Sequence, residues 1–170
     1  MPAQETLVSV EEYLNTSYEG ADREYVDGRI VERNVGQQDH SRLERSFLEF
    51  FGSLQGPLHA RAYSAQRLQV TVTRVRVPDV CVCMGAEPEG HVFRMPPFLL
   101  IEILSQDDRA TDLLERLDDY REFHVPFVWV VDPRTKRGYT FIRESGFDVV
   151  ESDLRTLAPN IELPIERLFE

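Results

Sequence analysis

The chain has 170 residues, of which 42% are hydrophobic and 29% charged, as expected for a folded globular protein rather than a disordered one. Its formal net charge of -11 argues against a general nucleic-acid coating protein, because such binding depends on basic side chains that contact phosphates. The length suits one domain over residues 1–170 and is short for two.

The N-terminus and the cysteines both favour a reducing compartment. Residues 1–5 contain no basic segment followed by an apolar one, so we expect no secretory signal. Cys81 and Cys83 lie two apart in an apolar run, which is poor disulfide geometry if that run is a strand. We therefore predict a cytoplasmic protein. No run is apolar enough to suggest a membrane partner.

Charge is distributed unevenly along the chain. Residues 23–76 contain nine arginines and six acidic residues, whereas residues 102–170 contain nine basic and sixteen acidic residues. The first segment could form a basic face, but a solvated surface of mixed charge explains most of these arginines better. Lys136 is the only lysine among the nineteen basic residues.

The first part of the chain predicts a helix, a hairpin and a longer helix. Ser9, followed by Glu12, has the spacing of a capping box and predicts a short helix at 10–14. Asp27-Gly28 between two apolar runs predicts a hairpin. Apolar residues at helical spacing predict an amphipathic helix over 40–54.

The remaining chain predicts strands around one further helix, with a tail at 161–169 that packs on the core. Apolar or alternating runs indicate strands at 61–63, 68–72, 77–84, 98–104, 127–131, 138–143 and 147–151. Residues 107–124 predict a helix whose inward side chains are Leu113, Leu114, Leu117, Tyr120 and Phe123. Strand, helix and strand in succession predict a right-handed parallel crossover, and the hairpins add antiparallel pairs. The fold class is therefore α/β, a mixed sheet flanked by helices.

Two acidic residues interrupt the apolar strands. Asp79 stands near the start of the run at 77–84, and Glu102 lies within the aliphatic run at 98–104. A carboxylate there is costly unless it is paired, protonated or bound to metal. Two neighbouring carboxylates suit Mg²⁺ or Mn²⁺, which prefer oxygen ligands. Each acid could instead pair with an arginine, or Glu102 could lie in water at a strand end, but the two together favour a metal site.

Several segments in order give the chain a family resemblance. These segments are residues 23–32, His40, residues 77–80, residues 100–105, Tyr120 and residues 125–133. Taken in this order, they resemble the Uma2 family of restriction endonuclease-like proteins, within the PD-(D/E)xK nuclease superfamily. Each segment alone is weak, whereas the ordered set covers most of the chain and is specific.

The resemblance implies roles for five residues. Asp79 and Glu102 would bind Mg²⁺ or Mn²⁺, with the carbonyl oxygen of Ile103 as a third ligand. Glu24 would be the acidic residue at the edge of the site, although an exposed hairpin acid would explain it equally well. His40 matches a histidine of the family, and its alternative is a local hydrogen bond at the start of a helix.

The chain departs from the superfamily motif at the lysine. Leu104 occupies the position two residues after the second acid, on the same strand face as Glu102. The Uma2 pattern carries its lysine on the following helix, where Arg116 stands in this chain. Arginine can stabilise phosphate charge but cannot act as a general base at ordinary pH. A surface pair with Asp112 at i,i+4 spacing would also explain Arg116, and Lys136 is a poor substitute.

Three functions remain open at this point. The leading one is a metal-dependent DNA endonuclease. The resemblance is compatible with a homodimer, since a two-fold pair suits the cutting of both strands, but the sequence leaves the oligomeric state open. The second is a catalytically degenerate nuclease-fold module that binds a partner or nucleic acid, favoured by the acidic charge and the missing lysine. The third is a metal-dependent hydrolase of a small phosphoester.

Overall fold

The fold is that of a computed structural model, which describes residues 7–19, 23–33 and 37–170. The expectation about a secretory signal at residues 1–5 lies outside the described residues. The helices are α1 Val10–Leu14, α2 Gln38–Ser53, α3 Gln55–Leu58, α4 Ala110–Glu122 and a 3₁₀ helix Ile165–Leu168. The strands are β1 Arg23–Val26, β2 Arg29–Glu32, β3 Ala60–Ser64, β4 Leu68–Thr71, β5 Arg74–Arg76, β6 Val80–Met84, β7 Leu99–Ile103, β8 Phe127–Asp132, β9 Arg137–Ile142, β10 Gly146–Val150, β11 Asp153–Arg155 and β12 Glu162–Pro164.

A six-stranded mixed sheet forms the centre of the molecule, in the order β10-β9-β8-β7-β6-β3. Strands β7 and β8 are parallel and are joined through α4, as the sequence predicts, whereas the other neighbours pair antiparallel. All five residues of β7 are buried. The continuous aliphatic run is therefore explained by a central strand that is covered on both faces.

Helices α2 and α4 cover opposite faces of this sheet. Phe47 and Phe51 of α2 pack with Ile101 and Trp129, and the Phe51 and Trp129 ring centroids are 5.8 Å apart. The C-terminal residues join this cluster, which confirms that the tail packs on the core. On the opposite face, Leu117 of α4 packs against residues of β6, β7 and β8, as do Tyr120 and Phe123.

A second, four-stranded antiparallel sheet has the order β2-β1-β5-β4. The Asp27-Gly28 hairpin is confirmed, and both residues have positive φ, 49° and 93°. An Asp-Gly pair tolerates these values because glycine lacks a Cβ and aspartate accepts the left-handed region. Helix α1 begins as predicted, since the Ser9 hydroxyl oxygen accepts a hydrogen bond from the Glu12 amide at 3.1 Å.

The structure differs from the sequence prediction in three places. The strands form two sheets and the separate β11–β12 pair, rather than one sheet. Strand β5 is not predicted because it is only three residues long and two of them, Arg74 and Arg76, are charged. Leu114 is 61% exposed rather than directed inward, because the buried face of α4 is occupied instead by Arg116 and Asp119 as well as by apolar residues.

Within the described ranges, none of the helices combines the length and apolar character that crossing a bilayer requires.

Candidate metal centre

The two predicted carboxylates meet at the junction of β6 and β7. Asp79 directly precedes β6, and the register pairs Val80 with Ile101, so the chain brings Asp79 beside Glu102. The backbone N–H of Ile103 donates to Asp79 Oδ2 at 2.6 Å, which fixes the Asp79 carboxylate against the edge of β7. The sequence predicts that Asp79 lies within a strand at 77–84, whereas in the structure it lies just before β6.

Side chains along β7 point alternately to the two faces of the sheet, and this alternation fixes the face on which Glu102 lies. Ile101 and Ile103 pack towards α2, whereas Leu100 packs towards α4. Glu102 shares the parity of Leu100 and therefore lies under α4. The side chain of Glu102 is 2% exposed and that of Asp79 is 10% exposed, so both carboxylates lie in a region where an unpaired charge is expensive.

Arg33 lies between the two carboxylates. Its Nη2 is 3.2 Å from Asp79 Oδ1 and 3.0 Å from Glu102 Oε2, and its Nη1 donates to the carbonyl oxygen of Val77. The alternative in which each acid pairs with an arginine is therefore present in the structure, through one arginine that serves both acids. The two carboxylate oxygens converge on a single cationic atom.

His40 approaches the same cluster from the first turn of α2. Its Nε2 is 3.3 Å from Asp79 Oδ1, and its side chain is 14% exposed. Partial burial lowers the pKa of His40, but the hydrogen bond and the charge of Asp79 outweigh it and raise that pKa above its ordinary value. The contact joins His40 to the carboxylate pair, in place of the local helix-end hydrogen bond that was its alternative.

Tyr120 completes the surroundings of Glu102. Its hydroxyl donates to Glu102 Oε1 at 2.6 Å from the buried face of α4. Burial raises the pKa of Glu102 above its ordinary value, and the Asp79 charge adds to this effect while Arg33 opposes it. For Asp79, burial also acts to raise the pKa, but Arg33 and His40 outweigh it and hold the pKa below its ordinary value. The pKa values of the two acids are therefore shifted in opposite directions.

Glu24 lies in an adjoining buried charge network. It is 0% exposed, so the alternative of an exposed hairpin acid is wrong. Its Oε2 is 2.8 Å from Arg76 Nη1 and 3.4 Å from Arg116 Nε, and its Oε1 accepts from the Val77 amide at 3.0 Å. Burial acts to raise the pKa of Glu24, but Arg116, Arg33 and Arg76 outweigh it and hold the pKa below its ordinary value.

Arg116 belongs to this network rather than to the protein surface. It is 6% exposed, so the interpretation as an ordinary surface pair with Asp112 is wrong. Arg116 lies on the same helix as Tyr120. Burial acts to lower its pKa, but the charges of Glu102 and Glu24 outweigh this effect and raise that pKa above the ordinary value. Lys136 is elsewhere, with its Nζ 5.7 Å from the ring centroid of Phe169, so it does not replace the missing lysine.

The residues present fit a divalent cation in their chemistry. Asp79 and Glu102 supply two hard carboxylate oxygens that already converge on a positive charge. The described parts of the chain hold no preassembled group of three or more His, Cys, Asp or Glu ligands. Further ligands would therefore have to come from backbone carbonyls such as that of Ile103, from water or from substrate.

A pocket of about 360 Å³ opens beside this centre. Its wall includes His40 and Leu104, which connect it to the carboxylate edge, and Arg109 and Arg134, which add exposed guanidinium groups. The pocket therefore lies between the N-terminal ends of α2 and α4.

Sequence reasoning missed the cations that neutralise the centre. In the sequence, Arg33 and Arg76 stand out only as members of a segment rich in arginine, and Asp119 has no distinguishing neighbours. Asp119 Oδ2 is 2.6 Å from Arg76 Nε, and Asp119 Oδ1 is 3.0 Å from Arg74 Nη1. Much of the basic surplus in residues 23–76 is thus tied to acids and does not form a basic face. The local signal for these cations is the alternation of charged and apolar residues in β5, where Val75 separates Arg74 from Arg76.

A mixed sheet between helices, with paired carboxylates at the junction of two central strands, defines a protein with a restriction endonuclease-like fold. The sequence profile of the Uma2 family, described as "Putative restriction endonuclease", matches residues 10–169. The chain belongs to the Uma2 family.

A solved structure has the same fold. It is described as a "putative nuclease belonging to DUF820" from Anabaena variabilis ATCC 29413 and superposes with a TM-score of 0.82. The match covers 95% of this chain and 97% of the other at 23% sequence identity, so it supports the fold alone. A search of curated proteins found no match.

Proposed function

We propose that this protein is a Mg²⁺- or Mn²⁺-dependent endonuclease that hydrolyses phosphodiester bonds in DNA. The observation that carries the proposal is the convergence of Asp79 Oδ1 and Glu102 Oε2 on one cationic atom at 3.2 and 3.0 Å. Membership of a family described as restriction endonucleases supports the same class of reaction. Nucleic acid is the partner that this class implies.

The groups around the carboxylates would hold them in place for a cation. The Ile103 amide and His40 contact the two oxygens of Asp79, and Tyr120 donates to Glu102. A bound divalent cation would supply an activated water molecule and stabilise negative charge on the phosphoryl oxygens. These supporting hydrogen bonds reduce the reorganisation that binding requires.

Two cationic groups could act on the phosphate itself. Glu24 holds Arg116 beside the centre, where a guanidinium can stabilise charge on a phosphoryl oxygen but cannot take a proton from water. His40 lines the pocket, and an imidazole N–H can donate a hydrogen bond to a substrate oxygen. Arg109 on the pocket wall suits a contact to a neighbouring phosphate, whereas Arg134 lies 3.8 Å from Asp132 Oδ2 on the same wall.

The test is cleavage of plasmid and short duplex DNA with 10-fold steps of Mg²⁺ or Mn²⁺, compared with EDTA. We expect metal-dependent cutting that falls by about 100-fold or more in Asp79→Asn and in Glu102→Gln, because each change removes an anionic ligand. Arg45→Gln, on the exposed face of α2, is the control and should retain activity. Cutting that persists in EDTA, or in both carboxylate variants, would contradict the proposal.

A second candidate is a catalytically silent nuclease-fold module that binds DNA or a partner. It is favoured by the ion pairs of Arg33 with both carboxylates and by Arg116 at the lysine position. Arg116→Lys separates the two candidates. Cleavage that appears only in this variant would mean that arginine silenced the site, whereas DNA binding without cleavage in both forms would favour the binding module.

A further inference from the structure

Arg33 occupies the point on which both carboxylates converge, and neither the family motif nor the proposed reaction uses it. Its side chain is 10% exposed and its Nη2 contacts Asp79 Oδ1 and Glu102 Oε2 together. A cation that both oxygens ligate would have to take the place that this nitrogen now fills. The site therefore already contains one positive charge of its own.

Arg33 is also anchored in this position by the rest of its guanidinium group. Nη1 donates to the carbonyl oxygen of Val77, in the segment that joins β5 to Asp79. The residue directly follows β2, so its backbone is held beside the hairpin of the second sheet. A planar guanidinium with several fixed donors loses less conformational freedom for each hydrogen bond than a flexible ammonium does, which makes it a persistent occupant.

We infer that Arg33 is a tethered competitor of the divalent cation, a built-in positive charge that must leave Asp79 and Glu102 before the metal binds; this inference rests on the proposed function. With Arg33 in place, the two carboxylates are half neutralised, and a second cation on the same oxygens would be repelled by the guanidinium. Metal affinity is consequently lower than the carboxylates alone would give. The protein is kept folded and inactive until the concentration of divalent cation is high enough to displace Arg33.

Calorimetric titration of Mn²⁺ into wild type and Arg33→Gln tests this inference without any measurement of cleavage. We expect Arg33→Gln to bind Mn²⁺ at least tenfold more tightly than wild type, and Asp79→Asn in the same background to abolish that binding. Arg45→Gln removes the same charge from a side chain that is 78% exposed, so its affinity should equal that of wild type.

Thermal unfolding in EDTA and in Mn²⁺ gives a second readout. Arg33→Gln removes a cation that contacts both buried carboxylates, so its melting temperature should fall in EDTA and recover in Mn²⁺ more than that of wild type. A variant that folds only with Mn²⁺ would support the inference, because the divalent cation would then replace the guanidinium. A variant that remains unfolded in saturating Mn²⁺ would overturn it.

The titration distinguishes this inference from the proposed function. If wild type and Arg33→Gln bind Mn²⁺ with affinities within tenfold, Arg33 does not compete and only the inference fails. The same holds if Arg45→Gln tightens binding as much as Arg33→Gln, since net charge would then be the cause. If neither wild type nor Arg33→Gln binds Mn²⁺, the metal centre itself is wrong and the proposed function fails as well.

Discussion

Substitution of Glu24 by glutamine removes the central anion of the buried network that connects β1 to β5 and α4. Glu24 is fully buried and contacts Arg76 and Arg116. The amide keeps the size of the carboxylate and can still accept from the Val77 amide, which now donates at 3.0 Å. The change therefore keeps the packing volume but removes the negative charge and one acceptor, because the new NH2 group would face the N–H donors of Arg76 and Arg116.

The magnitude follows from the partners that are left behind. Removal of one member of a buried ion pair costs about 3–5 kcal/mol, because the remaining charge stays buried. Arg76 retains Asp119 at 2.6 Å, so we expect the lower end, about 3 kcal/mol. For a protein of 170 residues, about 2–4 °C is lost for each kcal/mol, so the melting temperature should fall by about 6–12 °C.

The effect of Glu24→Gln should depend on pH with a defined sign. The pKa of Glu24 is held below its ordinary value in the folded protein. Its stabilising charge is therefore fully present above the pKa of an unfolded glutamate, about 4.3, and is lost as the pH falls through the lower, folded value. The difference in free energy of unfolding between wild type and variant should be constant near neutral pH and should become smaller in acid.

Glu32→Gln provides the matched control on the same hairpin. Glu32 pairs with Arg23 at 2.9 Å, but its side chain is 71% exposed, so the loss should be about 0–1 kcal/mol. Thermal unfolding by circular dichroism from pH 3 to 8 measures both variants. The role assigned to the buried network would be refuted if Glu24→Gln lost no more stability than Glu32→Gln. It would also be refuted if the difference in stability between wild type and Glu24→Gln did not become smaller in acid.

Two further predictions concern the centre and the core. Tyr120→Phe removes the hydroxyl that donates to Glu102 at 2.6 Å, and urea unfolding should show a loss of about 1–3 kcal/mol; an unchanged midpoint would mean that this bond contributes nothing. Gly138→Ala places a Cβ 2.8 Å from Ile165 Cδ1 and should cost about 1–3 kcal/mol. Gly52→Ala in α2, where a Cβ meets no atom within 4 Å, is its control and should stabilise by about 0.5–1 kcal/mol.

Local sequence patterns predicted the elements around the site because each depends on neighbouring residues. The aliphatic run at β7, the helical spacing in α2 and the Asp27-Gly28 turn all have local causes, and the family resemblance ordered them into the correct fold. Element ends were less accurate. The predicted helix at 107–124 is Ala110–Glu122, since no side chain caps either end strongly.

The fold class, the family and the proximity of Asp79 to Glu102 could thus be predicted from the amino-acid sequence. How the charges of these two acids are balanced could not, because it depends on residues that only the folded chain brings together. Arg33 reaches the site from the end of a hairpin 69 residues before Glu102, and Arg116 reaches Glu24 across 92 residues. No local pattern encodes such pairs, because their partners become neighbours only when the two sheets and α4 pack together. That packing places an arginine between the two carboxylates.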